Sequence, residues 1–185
     1  MSSDLDFTTH FSAENAVAEP KPTDAEFKEI DKLGTIGEAQ LKESGLYIRM
    51  ITAAPGGTLH SPSECVVLVV EDDDATARLI TTVLEKSGFA TRRASNRKEI
   101  AAGLSVQPQP ALVLLDVVMT DANGFDVLNR MRQHATLREI PVVMLTSLSG
   151  RNDIAKGIML GADGYLTKPL SPSTLLKAVR AVTRT

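Results

Sequence analysis

Four apolar runs in this chain each end in residues able to do chemistry. Val66–Val70 leads into Glu71-Asp72-Asp73-Asp74, and Ala111–Leu115 leads into Asp116. Val142–Leu145 leads into Thr146-Ser147, and Gly164–Thr167 leads into Lys168-Pro169. Clustered carboxylates suit a hard divalent cation, which prefers oxygen ligands. A hydroxyl and an ammonium suit the oxygens of a phosphoryl group, and an aspartate carboxylate can act as a nucleophile toward phosphorus. Taken singly, each feature is ordinary: acids decorate helix starts, threonine is common in strands, and loop lysines are usually solvated. Their shared position at the ends of apolar runs is what carries the signal.

That position follows from the elements. Short, nearly continuous apolar runs separated by helix-sized segments read as parallel strands buried on both faces. Ligands of an open parallel sheet sit outside the carboxyl ends of its strands, so the four endings converge on one crevice. Between the runs, Thr76, Leu79, Ile80, Val83 and Leu84 form one helix face, closed by Gly88. Phe89 to Ala94 is a more polar strand suited to a sheet edge, and Ser95 or Asn96 caps a helix carrying Ile100 and Leu104. Gly124, Val127, Leu128 and Met131 predict a further helix, as do Ile154, Ala155 and Ile158. Ser171 caps the last, with Pro172 at its first position and Leu175, Leu176, Val179 and Val182 facing inward. Five strands alternating with five helices, joined by right-handed crossovers, give an α/β fold. It is a doubly wound five-stranded parallel sheet of order 2-1-3-4-5 with helices on both faces.

At 185 residues and 43% hydrophobic content, the chain can hold one well-buried domain and something smaller. Residues 1–62 read as an N-terminal extension and linker, partly disordered, and residues 63–185 as the domain. The first 25 or so residues are polar and without sustained periodicity. Phe27, Ile30 and Leu33 predict a short helix from about Asp24, capped by Thr23 or Asp24, and Leu46 to Ile51 a short strand. Pro55-Gly56-Gly57 through Ser61-Pro62-Ser63 reads as a linker. The extension has too little apolar content for a core of its own, so order there requires docking elsewhere. It carries ten acids and five bases, whereas residues 63–185 carry thirteen acids and fifteen bases. Those bases are scattered along helices, with no dense run or interleaved aromatics to suggest nucleic-acid binding. A lone Cys65 fits a reducing compartment. Neither a signal peptide nor an apolar stretch of roughly 20 residues is present, so the expectation is a cytoplasmic location without membrane contact. His10, His60 and His134 form no metal constellation.

Glu71-Asp72, Asp116 with Val117-Val118-Met119, Thr146-Ser147 and Tyr165-Leu166-Thr167-Lys168-Pro169 together resemble the motif set of two-component response-regulator receiver domains, the CheY-like superfamily. The resemblance covers about residues 64 to 185, and the family's strand order is the one given above. It implies that Asp116 is the phosphoacceptor and that Mg2+ is held by Asp72, Asp116 and the Val118 carbonyl, with Glu71 acting through water. It implies Thr146 and Lys168 as phosphoryl-binding residues and a cis Lys168–Pro169 peptide. Tyr165, with Thr146, would be the switch: the aromatic ring turns inward as the hydroxyl is drawn to the phosphate. Asp73 and Asp74 then suit the loop and the helix cap. The implied partners are a histidine kinase or phosphotransfer protein and a downstream protein of unknown identity, with dimerisation left open.

Two departures from the family pattern stand out. Thr120 occupies a position where proline is usual, which is expected to leave the loop freer without touching a catalytic group. Val118 and Leu148 flank the path of the hydrolytic water and are apolar, which predicts slow self-dephosphorylation. Among other classes, a haloacid-dehalogenase-like phosphatase needs a second aspartate two residues after its nucleophile, where Val118 stands. A P-loop enzyme needs a glycine-rich Lys-Ser/Thr sequence that is absent. A receiver-like module that is never phosphorylated is the remaining alternative. With no output domain expected after Thr185, signalling falls to contacts of the receiver or of its first 62 residues.

Overall fold

The structure is a computed structural model that describes residues 23–48, 61–147 and 150–185. Its centre is a six-stranded sheet: β1 (Leu46–Ile48), β2 (Val66–Val70), β3 (Ala90–Ala94), β4 (Leu112–Asp116), β5 (Val142–Thr146) and β6 (Gly164–Thr167), in the order β1-β6-β5-β4-β2-β3. The five strands from β2 onward are parallel and stand in the expected 2-1-3-4-5 order. Every residue of β2, β4 and β5 is buried, as continuous Val/Leu runs require when helices cover both faces. The more polar β3 is an edge, as its sequence indicates.

The helices are α1 (Asp24–Ser44), α2 (Asp74–Lys86), α3 (Arg97–Ser105), α4 (Gly124–Gln133), α5 (Arg151–Met159) and α6 (Pro172–Thr183). Their starts are set locally. The side chains of Asp73, Asn96 and Ser171 accept backbone N–H groups of Thr76, Glu99 and Thr174, satisfying donors that helix starts otherwise leave orphaned. Asn123 does the same for Phe125. The buried stripes of α2 (Ala77, Ile80, Leu84) and α6 (Leu175, Ala178, Val179, Val182) pack on one face of the sheet; those of α3, α4 and α5 close the other.

The N-terminal part extends this plan. The sheet has six strands rather than five, because β1 pairs antiparallel with β6: Leu46 opposite Leu166, Tyr47 opposite Tyr165, Ile48 opposite Gly164. The predicted short helix is a 21-residue one. Thr23 and Glu26 form a reciprocal capping box at its start, and Gly45, at φ 69°, turns the chain directly from helix into strand. Its length escapes the sequence pattern because Gly37 stands on the packed face. A Cβ there would lie 2.9 Å from Ile154 Cγ2, so the close approach of α1 to α5 leaves no side chain to read. Residues 1–22, and 49–60 with most of the expected linker, lie outside the described residues.

Candidate functional site

The carboxyl ends of β2, β4, β5 and β6 bring the singled-out residues to one place. Asp116 is the last residue of β4 and is 4% exposed. It stands one strand away from Glu71 and Asp72, which follow β2, because β2 and β4 pair directly. On the other side β5 ends at Thr146, beyond which Lys168 follows β6. Lys168 N–H donates to the Thr146 carbonyl at 2.9 Å, continuing the ladder by one residue past the strand. The Lys168 ammonium therefore enters the cleft and lies 2.9 Å from Asp116 Oδ2 and 2.7 Å from Glu71 Oε2. The Lys168–Pro169 peptide is cis.

The electrostatics are those of acids crowded together out of water. Burial pushes the fully buried Glu71 above the usual carboxylate range; the Lys168 ammonium opposes this and the Asp116 charge adds to it. Burial alone would lower Lys168, yet its pairing with the Glu71 and Asp116 carboxylates outweighs it and holds the ammonium above its ordinary value. For Asp72, burial works upward and is overcome by hydrogen bonds from Thr120, so its carboxylate stays ionised to lower pH. Glu71 Oε2 has the ammonium as a charge partner but no properly directed hydrogen bond. One oxygen each from Glu71, Asp72 and Asp116 lie within 4.8 Å of one another. Three carboxylates share one ammonium there, and such an all-oxygen, net-negative donor set fits a hard divalent cation of the magnesium or manganese type.

Thr120 requires a correction. It was expected to touch no catalytic group, but both its backbone N–H (2.7 Å) and its hydroxyl (2.8 Å) donate to Asp72 Oδ2. Proline, lacking an N–H and a hydroxyl, could supply neither, so the departure from the family pattern was itself the signal. Gly124 was read as a helix-face residue, yet its role is spatial. A Cβ there would sit 2.2 Å from the Asp116 carbonyl oxygen, so glycine lets the start of α4 press against the aspartate. Asp73 caps α2 and Asp74 pairs with Arg93, leaving Glu71 and Asp72 as the inward acids. Val118 N–H donates to Asp116 Oδ1 at 3.3 Å, and the residue is 64% exposed. Leu148 lies outside the described residues.

Tyr165 is 1% exposed, with its ring turned inward. Its hydroxyl donates to the Ile154 carbonyl of α5 at 3.2 Å, and Gly157 provides the space, since a Cβ there would collide with the hydroxyl. Burial pushes this phenol far above its ordinary range.

A doubly wound sheet that gathers acids, a hydroxyl and a lysine at its carboxyl ends has the chemistry to suit a phosphoryl group beside a divalent cation. Comparison with known proteins makes this specific. The model of the response regulator receiver domain matches residues 67–180, and the chain belongs to that family. Over 118 residues it is 36% identical to the transcriptional regulatory protein GltR of Pseudomonas aeruginosa, covering 64% of this chain and 48% of that protein. It is 36% identical to the response regulator PleD of Caulobacter vibrioides, covering 26% of it. The match thus spans about half, or less, of these relatives' own length. Among solved structures, the chemotaxis response regulator CheY4 of Vibrio cholerae superposes with a TM-score of 0.59 at 27% identity, over 64% of this chain and 98% of that one. A Mn(2+)-bound form of response regulator Rcp1 gives 0.55 at 32% identity, over 64% and 91%. Homology to response regulators makes this a receiver of two-component signalling, a signalling domain. No helix among the described residues is long and apolar enough to cross a membrane.

Proposed function

We propose that Asp116 accepts a phosphoryl group from a phosphohistidine on a histidine kinase or phosphotransfer protein, and that the chain signals in the cytoplasm through protein contacts. One observation carries this reading: Asp116 is nearly buried, at a strand end, between an acidic pair and a half-buried ammonium. Glu71, Asp72 and Asp116, with the Val118 carbonyl, would hold Mg2+, as the Mn(2+)-bound relative's metal suggests by analogy. A cation there supplies charge that offsets repulsion between the carboxylates and the incoming phosphoryl group.

The chain's own groups do the rest. An Asp116 carboxylate oxygen forms the new bond to phosphorus while the bond from phosphorus to the histidine nitrogen breaks; the donor ring, already protonated on its other nitrogen, takes that electron pair and leaves as neutral imidazole. No proton has to leave Asp116, so the site needs no general base. Lys168, already 2.9 Å from Asp116, pairs with a phosphoryl oxygen. The Thr146 hydroxyl donates to another, and the small Ser147 leaves room. Tyr165, turned inward under α5, is the switch residue that reads the position of Thr146.

Incubation with acetyl phosphate and magnesium, followed by intact-mass measurement, tests the assignment. The wild-type chain gains one phosphoryl group, and omission of magnesium or substitution Asp116→Asn abolishes the gain. Equal labelling of the Asp116→Asn chain would refute it.

A further inference from the structure

β6 is an unusual strand to leave at the rim of a sheet. Tyr165 and Leu166 point to opposite faces and both are essentially inaccessible, so the strand is apolar on both sides. An open apolar edge presents unpaired N–H and C=O groups to any passing strand. Here β1 occupies it. The Thr167 N–H donates to the Gly45 carbonyl at 3.1 Å, one residue before Lys168. Leu41 and Tyr47 join the core layer that holds Tyr165 and Ile154, while Leu46 joins the opposite layer beside Leu166 and Leu175.

The contacts run from this N-terminal unit to the switch residue. The Tyr47 and Tyr165 rings are 6.4 Å apart between centroids. Gly37 of α1 abuts Ile154 and the Tyr47 ring, and the Ile154 carbonyl accepts the Tyr165 hydroxyl. Tyr165 is thus walled inward by β1 on one side and by α5, held under α1, on the other. Docking in the same chain is easily reached. β1 is antiparallel to β6, so Ile48 ends where the parallel strands begin, near the start of β2. Four strand spacings, roughly 19 Å, separate the two; the residues between them could span more than about 50 Å if extended.

We infer that the edge of β6 and the flank of α5 form an interaction surface whose occupant is this chain's own segment 24–48, and that its docking and phosphorylation of Asp116 reinforce one another. This rests on the phosphoacceptor and switch readings of Asp116 and Tyr165. The sign follows from linkage: the docked segment stabilises the inward ring, and the phosphoryl group favours the same ring position. Each therefore raises the affinity of the other by one factor. The N-terminal unit acts as a built-in partner that holds the receiver toward its phosphorylated arrangement.

Amide exchange on the full chain, with and without beryllofluoride and magnesium, reads the coupling in the unaltered protein. Protection in residues 24–48 should rise when the phosphoryl mimic binds. Gly37→Leu wedges α1 from α5 without altering any residue of the cleft. It should lower protection of 24–48 and weaken beryllofluoride binding about fivefold or more, with Gly37→Ala intermediate. Unchanged protection of 24–48, or undiminished mimic affinity in Gly37→Leu, would overturn the inference while acetyl phosphate labelling of Asp116 stands. Falling protection would overturn its sign and mark the segment as an autoinhibitory cap. Loss of labelling in the unaltered chain would overturn both readings together.

Discussion

The two outer strands of the five-stranded parallel part of this sheet, β3 and β6, solve the same problem by opposite means. At β3 the edge is polar. Arg92 donates to the carbonyls of Gly103, Val106 and Pro108, and Arg93 pairs with Asp74 at the start of α2. Charge on the strand itself discourages another strand from pairing there, so the edge can stay open. At β6 the strand carries no charge, both faces are buried, and a separate helix and strand cover it. The lesson is that residues 24–48 are structural partners of β6, and that a five-stranded view of this chain would leave its most apolar edge bare.

Stability measurements on the two edges sharpen the contrast. Tyr47→Ala should cost about 3 kcal/mol, because it empties a ring-sized volume between β6 and α1. Arg92→Ala should cost about 1 kcal/mol, because the carbonyls it leaves are largely reached by water. Urea denaturation of both variants gives the comparison, and equal losses would mean that β1 adds no more to the fold than a surface arginine does.

A smaller effect on stability, but a larger one on chemistry, is expected in the cleft. Thr120→Val keeps the backbone donor to Asp72 and removes the hydroxyl. Global stability should change by less than about 0.5 kcal/mol, as for surface substitutions generally. Magnesium affinity, measured calorimetrically, should fall about tenfold, since a group that orients a ligating carboxylate commonly contributes that much. Unchanged affinity would show that Thr120 merely ties down its loop.

The same contrast explains what the sequence discloses. The cleft was legible because each residue announces itself by type and by position after an apolar run: Asp116, Thr146 and Lys168 need only the strand frame to meet. The polar β3 edge was legible for a similar reason, its arginines being visible in the strand. The β6 edge was not, because its cover depends on a three-residue strand pairing more than a hundred residues away and on a helix packed through Gly37, where the informative feature is a missing side chain. Thr120 was seen as a departure, but its two donors acquire meaning when the β4–α4 loop is folded over Asp72.

The central claim concerns one carboxylate, and reductive trapping tests it at the level of the atom that reacts. Borohydride converts an aspartyl phosphate to homoserine, which peptide mass spectrometry can place in the chain. After treatment with acetyl phosphate and magnesium, homoserine should appear at position 116 and nowhere else, and its yield should fall to background without the metal. Homoserine at 72, 73 or 74, or its absence from 116 in a chain that has gained a phosphoryl group, would contradict the account.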